Sequence, residues 1–263
     1  MTDAPVRQPA VARPAATVLL VRDAPDGMEI FMVVRHHQIE FASGALVFPG
    51  GRVEDGDAAI AAAVAPALPG AAFRIAGIRE TFEECGVLLA HDDAGQLVGA
   101  ERLVALEAAH RQALCAGEKP FAAVLATEAL TPIPHAMLPF AHWITPADMP
   151  KRFDTHFFLA EAPPDQLAAH DGGESVDSIW IRPGDALAAA EAGTRTVLFP
   201  TRKNLERLAG FGRVEEAMAA TRERPVVSVQ PEIVTLADGT RWLRIPEEAG
   251  YGGSLFPVGL RAM

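Results

Sequence analysis

Three glutamates, Glu80, Glu83 and Glu84, carry the clearest chemical signal in this chain; they fall within Ile75–Ala–Gly–Ile–Arg–Glu–Thr–Phe–Glu–Glu–Cys–Gly86. At about 3.6 residues per helical turn, positions i, i+3 and i+4 share one face. Ile75, Ile78, Phe82 and Cys85 then fall on the opposite face. One side of such a helix is core and the other is a cluster of carboxylates. Like charges at this spacing destabilise a helix by roughly 0.2–0.5 kcal/mol per pair, and acids near its C-terminus oppose the macrodipole. A hard divalent cation removes both penalties, because Mg2+ and Mn2+ prefer carboxylate oxygen. For a Glu-rich helix taken alone, a solvated acidic face is the plainer reading. The segment upstream shifts the balance. Phe48–Pro–Gly–Gly–Arg–Val–Glu–Asp–Gly–Asp57 is a tight glycine-rich turn after a short strand, and glycine permits close backbone approach.

The elements that must position these residues alternate in type. Ala16–Val21 and Glu29–Arg35 read as strands of a hairpin, with Asp26–Gly27 as the turn signal. A third short strand covers Ala45–Phe48. Helices are expected over Ala72–Cys85, ending at Gly86, and over Ala100–Ala116 and Ala122–Glu128. Leu130–Pro150 is proline-rich and reads as irregular apart from Trp143 and Ile144. Thr155–Ala160 and Ser178–Arg182 are strands, and further helices are expected over Pro183–Ala192, Pro200–Leu208 and Val214–Thr221. Alternation in Pro225–Met263 suggests late strands. The mixture lacks a strict βαβ rhythm and points to a mixed-sheet α/β or α+β domain.

Taken together, the two segments resemble the signature of the Nudix hydrolases: G, five residues, E, seven residues, R-E-U-x-E-E-x-G-U, where U is bulky and apolar. Gly51–Asp57 is similar to the first half, with Asp57 in place of the usual Glu. Arg79–Glu–Thr–Phe–Glu–Glu–Cys–Gly–Val87 is similar to the second half, with Thr81 where a larger apolar residue is usual. Between Asp57 and Arg79 lie 21 residues instead of seven, an insertion of 14. An insertion there resembles the subgroup of the peroxisomal coenzyme A diphosphatase known as nudix motif 19 and its bacterial relatives. Arg13–Arg22, Val47–Gly51, Arg152–Phe158, Asp177–Pro183 and Leu198–Thr201 also resemble that subgroup.

The resemblance implies an α/β fold, an α/β/α sandwich around a mixed β-sheet, with the insertion inside the signature and extra C-terminal elements. The division it suggests is an arm over 1–12, the Nudix domain over 13–221 with its insertion at about 58–71, and a C-terminal extension over 222–263. The insertion is expected to bulge away and leave loop and helix in contact. The resemblance also implies Mg2+ or Mn2+ as cofactor, held by Glu80 and Glu84, with Glu83 sharing a second ion or a water and a backbone carbonyl near Gly50 adding an oxygen. Arg79 is expected to tie helix to loop through an acid such as Asp57; a plain surface ion pair with Glu83 is the alternative. The general base is Glu80 or Glu174, the latter in an Asp171–Gly–Gly–Glu turn where a solvated loop acid is the plainer reading. Arg35, Arg52, Lys151 and Arg152 are candidates for phosphate contacts.

His156 either faces the cleft or is a hydrogen-bonded structural residue. Trp143 and Trp180 either stack on a base or pack in the core. Cys85 reads as packing. Met137, Leu138, Phe140 and Trp143 could line an apolar groove for an extended arm such as pantetheine.

Composition narrows the partners. The chain has 263 residues with 34 acidic and 23 basic side chains, a net charge of −11. Nucleic acid needs a basic face and anionic lipid a basic patch, so neither is an expected partner. Two cysteines make no disulfide framework, and no apolar run is long enough for a transmembrane helix. The ending Leu260–Arg–Ala–Met263 differs from a Ser-Lys-Leu address, and a cytoplasmic location is the expectation. A homodimer stays open. The expected function is hydrolysis of a diphosphate linkage in coenzyme A or acyl-CoA. The alternatives are the same chemistry on ADP-ribose, NADH or another nucleoside diphosphate derivative, and a non-catalytic ligand-binding regulator. The regulator is disfavoured because Glu80, Glu83 and Glu84 are all present and no basic helix-turn-helix segment is found.

Overall fold

Alternating burial along the first strand sets the architecture. In β1 (Arg13–Ala24), Ala16, Val18 and Leu20 enter one apolar core while Leu19 and Val21 enter another. A strand buried on both faces must be sandwiched between layers. The computed structural model describes residues 10–35, 44–166 and 175–258 and has that form.

β1 pairs with β2 (Gly27–Arg35) in an antiparallel hairpin. β3 (Leu46–Val47) and β4 (Gly50–Arg52) follow, β3 on β2 and β4 on β1. Helices α1 (Asp55–Val64) and α2 (Ala71–Cys85) come next. A two-stranded pair, β5 (Ala90–His91) with β6 (Thr131–Pro132), brackets α3 (Ala100–Leu106), a π-helical turn Glu107–Arg111, α4 (Gln112–Cys115) and α5 (Phe121–Thr127). β7 (Leu138–Ile144) and β8 (Phe153–Glu161) then join the main sheet, β8 parallel to β1 and antiparallel to β7. β9 (Ser175–Ile181) adds to β2. Helices α6 (Pro183–Glu191), α7 (Phe199–Leu208) and α8 (Val214–Glu223) follow. The last strands are β10 (Ser228–Val229), parallel to β7, and a small sheet of β11 (Glu232–Thr235), β12 (Arg241–Arg244) and β13 (Leu255–Pro257). The central sheet is mixed. Its first core packs under α2, and its second under residues of α6, α7 and α8.

Helix α2 lies close to the sheet because of one residue. A Cβ at Gly77 would sit 2.5 Å from Met137 Cε and 3.1 Å from Val18 Cγ2, so any side chain there would push the helix outward. Ile75, Ile78, Phe82 and Cys85 are all fully buried, as the helical spacing predicts. Gly86 ends the helix in the left-handed conformation, φ 69°, with its N–H donating to the Phe82 carbonyl.

Several sequence expectations are corrected. The insertion does not bulge away. Asp55–Val64 is a helix, and Ile60 and Ala61 enter the same core as α2. Leu130–Pro150 contains the seven-residue strand β7. Pro139 lacks a ladder donor, and the β7–β8 register shifts between Pro139 and Ala141, which is where a sheet tolerates proline. The expected Ala100–Ala116 helix is present as one helical run, with the π-turn Glu107–Arg111 inside it.

Candidate active site: a carboxylate cluster beneath a glycine loop

Asp57 and Arg79 join the two halves of the signature across the insertion. Arg79 Nε donates to Asp57 Oδ1 and Nη2 to Asp57 Oδ2, both at 3.0 Å, a bidentate pair. Nη2 also donates to the Arg52 carbonyl at 2.7 Å. Nη1 donates to Glu80 Oε1 at 2.9 Å and to Glu83 Oε2 at 3.1 Å. The guanidinium is 5% exposed and Asp57 1%. Arg79 therefore ties the helix to the loop through Asp57, and its pair with Glu83 one turn away is largely buried, not the surface ion pair of the alternative reading. Burial alone would lower the Arg79 pKa, but the Asp57 hydrogen bond and the charges of Glu80, Asp57 and Glu83 hold it above its ordinary value.

Asp57 has a second task. Its Oδ2 accepts the Glu54 N–H at 2.9 Å, and with Glu54 it forms the capping box of α1. The N3 residue of the helix that leads into the insertion is thus the one that anchors Arg79.

The glycine turn closes over the glutamates. Gly50 N–H donates to Glu84 Oε2 at 2.9 Å. A Cβ added at Gly51 would lie 2.3 Å from Glu80 Oε1, so only a residue without a side chain lets this backbone rest on the Glu80 carboxylate. Glu80, Glu83 and Glu84 together line one end of a cleft of about 1090 Å³. Burial pushes the Glu83 carboxyl above its usual range, against the opposing pull of Arg79. An all-oxygen donor set, drawn together beneath backbone and oriented by a buried arginine and one backbone N–H, suits a hard divalent cation. The rest of the cleft carries cationic and apolar walls: Arg13, Arg52, Lys119 and Lys151, and Trp143, Met149, Phe153, Phe157 and Phe199.

The NUDT19 Nudix domain, a defined protein family, matches residues 58–208. This chain belongs to that Nudix family. A putative nudix hydrolase 7 of Caenorhabditis elegans is 27% identical over 196 residues, 74% of this chain and 60% of that protein. The chain therefore spans less than two thirds of that relative. The acyl-coenzyme A diphosphatase NUDT19 of Gallus gallus is 26% identical over 309 aligned positions, covering 92% of this chain and 82% of that one. A NUDIX hydrolase from Alicyclobacillus acidocaldarius superposes with TM-score 0.71 at 27% identity, over 80% of this chain and 96% of that structure. The carboxylate helix is that of a Nudix diphosphatase.

The Nudix fold does not bring every expected residue to the cleft. Arg152 is spent elsewhere: its Nε donates to the Thr145 carbonyl at 3.1 Å and Nη1 to the Ala10 carbonyl at 2.8 Å, so it braces backbone. Arg35 ends β2, and its side chain lies outside the described residues, as does the whole of Glu174. Gly50 does line the cleft, and its N–H donates to Glu84 Oε2. His156 is absent from the cleft walls; it packs on Phe73 of α2 at 4.1 Å between ring centroids. Trp180 packs edge-on to Phe31 at 5.3 Å under the Arg22 guanidinium. Met137 and Phe140 are buried in opposite cores, because β7 alternates its faces and Met137 precedes it under Gly77. Trp143 packs and lines the cleft at once, donating Nε1–H to Tyr251 Oη at 3.2 Å.

Sequence reasoning missed Arg13, Lys119 and Arg111. Arg111 Nε donates to the Glu83 carbonyl at 2.9 Å from the π-turn, 28 positions away in sequence. No spacing rule relates such residues, since tertiary packing alone joins them.

Proposed function

We propose that this Nudix hydrolase is a Mg2+- or Mn2+-dependent diphosphatase that cleaves coenzyme A or acyl-CoA to 3′,5′-ADP and (acyl-)4′-phosphopantetheine. The observation that carries the reading is the convergence of Glu80, Glu83 and Glu84 at one end of a cleft with cationic and apolar walls. Those three glutamates, with backbone oxygen near Gly50, are the residues to hold the cations. When bound, the cations supply neutralisation of the diphosphate charge and polarisation of its phosphoryl oxygens.

The chain's own residues do the rest. Arg79 orients Glu80 and Glu83 through Nη1, and Gly50 N–H orients Glu84. One of the carboxylates, Glu80 or Glu174, takes the proton from the attacking water. An acidic protein must gather local positive charge for a substrate with an extra 3′-phosphate, and Arg13, Arg52, Lys119 and Lys151 supply it. Pantetheine is extended and largely neutral, and Trp143, Met149, Phe153 and Phe199 offer it apolar surface. The Gallus gallus relative, named an acyl-coenzyme A diphosphatase, supports the same substrate class.

The test compares CoA, dephospho-CoA and ADP-ribose at equal concentration with Mg2+ or Mn2+, using Glu84→Gln as the inactive control. CoA is expected to be cleaved fastest, dephospho-CoA more slowly, and the folded Glu84→Gln protein hardly at all. Faster cleavage of ADP-ribose overturns the substrate. Near-normal turnover by Glu84→Gln overturns the metal assignment.

A further inference from the structure

On the opposite side of β7 and β8 from the cleft, three side chains meet that the diphosphatase reading does not use. His142 of β7 and His156 of β8 are directly opposed across the antiparallel pair, and Asp154 stands two residues before His156 on the same face. Neighbouring positions Trp143, Phe153, Thr155 and Phe157 point the other way, into the cleft. The two imidazoles stack at 4.1 Å between centroids, with Phe73 against the far side of His156. His142 Nε2 is hydrogen-bonded to Asp154 Oδ1. The other ring nitrogen, Nδ1, meets Ser228 Oγ of β10 at 2.6 Å. All three residues are half-buried, and one ligand atom from each lies within 4.8 Å of the others.

We propose that His142, Asp154 and His156 form a second cation site, separate from the α2 glutamates and selective for a borderline transition metal of the Zn2+ class. The argument is one of donors and geometry. Two imidazoles and a carboxylate suit Zn2+, whereas Mg2+ prefers oxygen alone. Ligand atoms around a tetrahedral Zn2+ stand roughly 3.3 Å apart, from bond lengths of about 2.0–2.2 Å. Binding draws the three ligand atoms in from within 4.8 Å of one another and turns the stacked rings so that their in-plane lone pairs converge on the ion. The ion replaces the proton shared by His142 and Asp154. Ser228 is placed as an outer partner that fixes the His142 ring, an arrangement metal-binding histidines almost always have. Asp154, 34% exposed, gives the ion an entry path and leaves its fourth position to solvent. The site ties β7 to β8 directly behind the cleft wall.

The experiment uses the full, untagged chain, stripped with chelator and carrying Glu83→Gln and Glu84→Gln to silence the α2 cluster, titrated with Co2+ as spectroscopic probe. The expected result is one equivalent of Co2+ with visible d–d absorption, displaced by Zn2+ and unaffected by excess Mg2+. His156→Gln and His142→Gln are each expected to abolish the bands, and Ser228→Ala to weaken binding by about 10-fold or more. Circular dichroism checks each fold, and if one histidine variant unfolds the other is read alone. Absence of Co2+ uptake, or uptake that survives both histidine substitutions, overturns the site and leaves a hydrogen-bonded histidine pair. Because the readout is Co2+ binding that depends on the two histidines, in a variant that keeps only one of the three α2 glutamates, it is independent of the diphosphatase reading.

Discussion

Replacing Gly51 by alanine tests how closely the glycine loop must rest on the α2 glutamates. The added Cβ would lie 2.3 Å from Glu80 Oε1, 2.5 Å from Cδ and 2.6 Å from Oε2. Ordinary contact needs about 3.4 Å, so the carboxylate must retreat by about 1 Å, and a misplacement of that size costs roughly 10²-fold in rate. That corresponds to about 2.7 kcal/mol of transition-state stabilisation. The backbone is not the obstacle, because the nearest atoms all belong to the Glu80 side chain. The expected outcome is therefore a folded protein, its melting temperature within a few degrees of wild type, with kcat/KM for CoA down about 10²-fold and Mn2+ bound more weakly. Gly50→Ala is the contrast. Its Cβ would meet the Ala16 carbonyl oxygen at 2.3 Å and Thr17 Cα at 2.7 Å, both backbone atoms of β1, so it should lose stability as well as activity. The assay is chromatographic release of the adenosine-containing product, with calorimetric Mn2+ titration alongside. Wild-type turnover by Gly51→Ala would refute the placement of Glu80 beneath the loop as a functional contact.

Three further outcomes follow from the same geometry. Phe82 is fully buried between α2 and the sheet, so Phe82→Ala should cost about 3–5 kcal/mol in denaturant unfolding; unchanged stability would mean the helix is rotated. Arg79→Met leaves Asp57, 1% exposed, without its cation and should cost about 3–5 kcal/mol. Adding Asp57→Asn should restore part of that stability but none of the activity, and a double variant no more stable than the single one counts against the pairing. Burial and the neighbouring His142 lower the His156 pKa from 6.5 to about 4, against the opposing charge of Asp154. A depressed folded pKa stabilises above the unfolded value and loses that contribution as pH falls. Chelator-treated protein should therefore lose stability between pH 6.5 and about 4 more steeply than His156→Phe; parallel stability curves contradict this.

The sequence alone was enough for the chemistry-bearing helix, because its information is local. Period determined that Ile75, Ile78, Phe82 and Cys85 go inward together and that Glu80, Glu83 and Glu84 share the other side, and Gly86 marked the stop. The resemblance supplied what the two halves of the signature are for, and Asp57 was legible as the partner of Arg79 across 21 intervening residues. Tertiary structure decided the rest. The Ala-rich insertion carries little periodic contrast, so only its docking on α2 shows that Ile60 and Ala61 belong to the core. β7 was hidden by Pro139, which a strand accepts only where the register slips against β8. Arg152 and Lys151 are adjacent in sequence, yet one braces backbone carbonyls and the other lines the cleft. Composition cannot separate such neighbours, because the course of the loop before β8 decides where each side chain goes. The pairing of His142 with His156 is of the same kind: in sequence one falls in a segment that reads as irregular and the other is an ordinary strand histidine, and only the β7–β8 register sets them face to face.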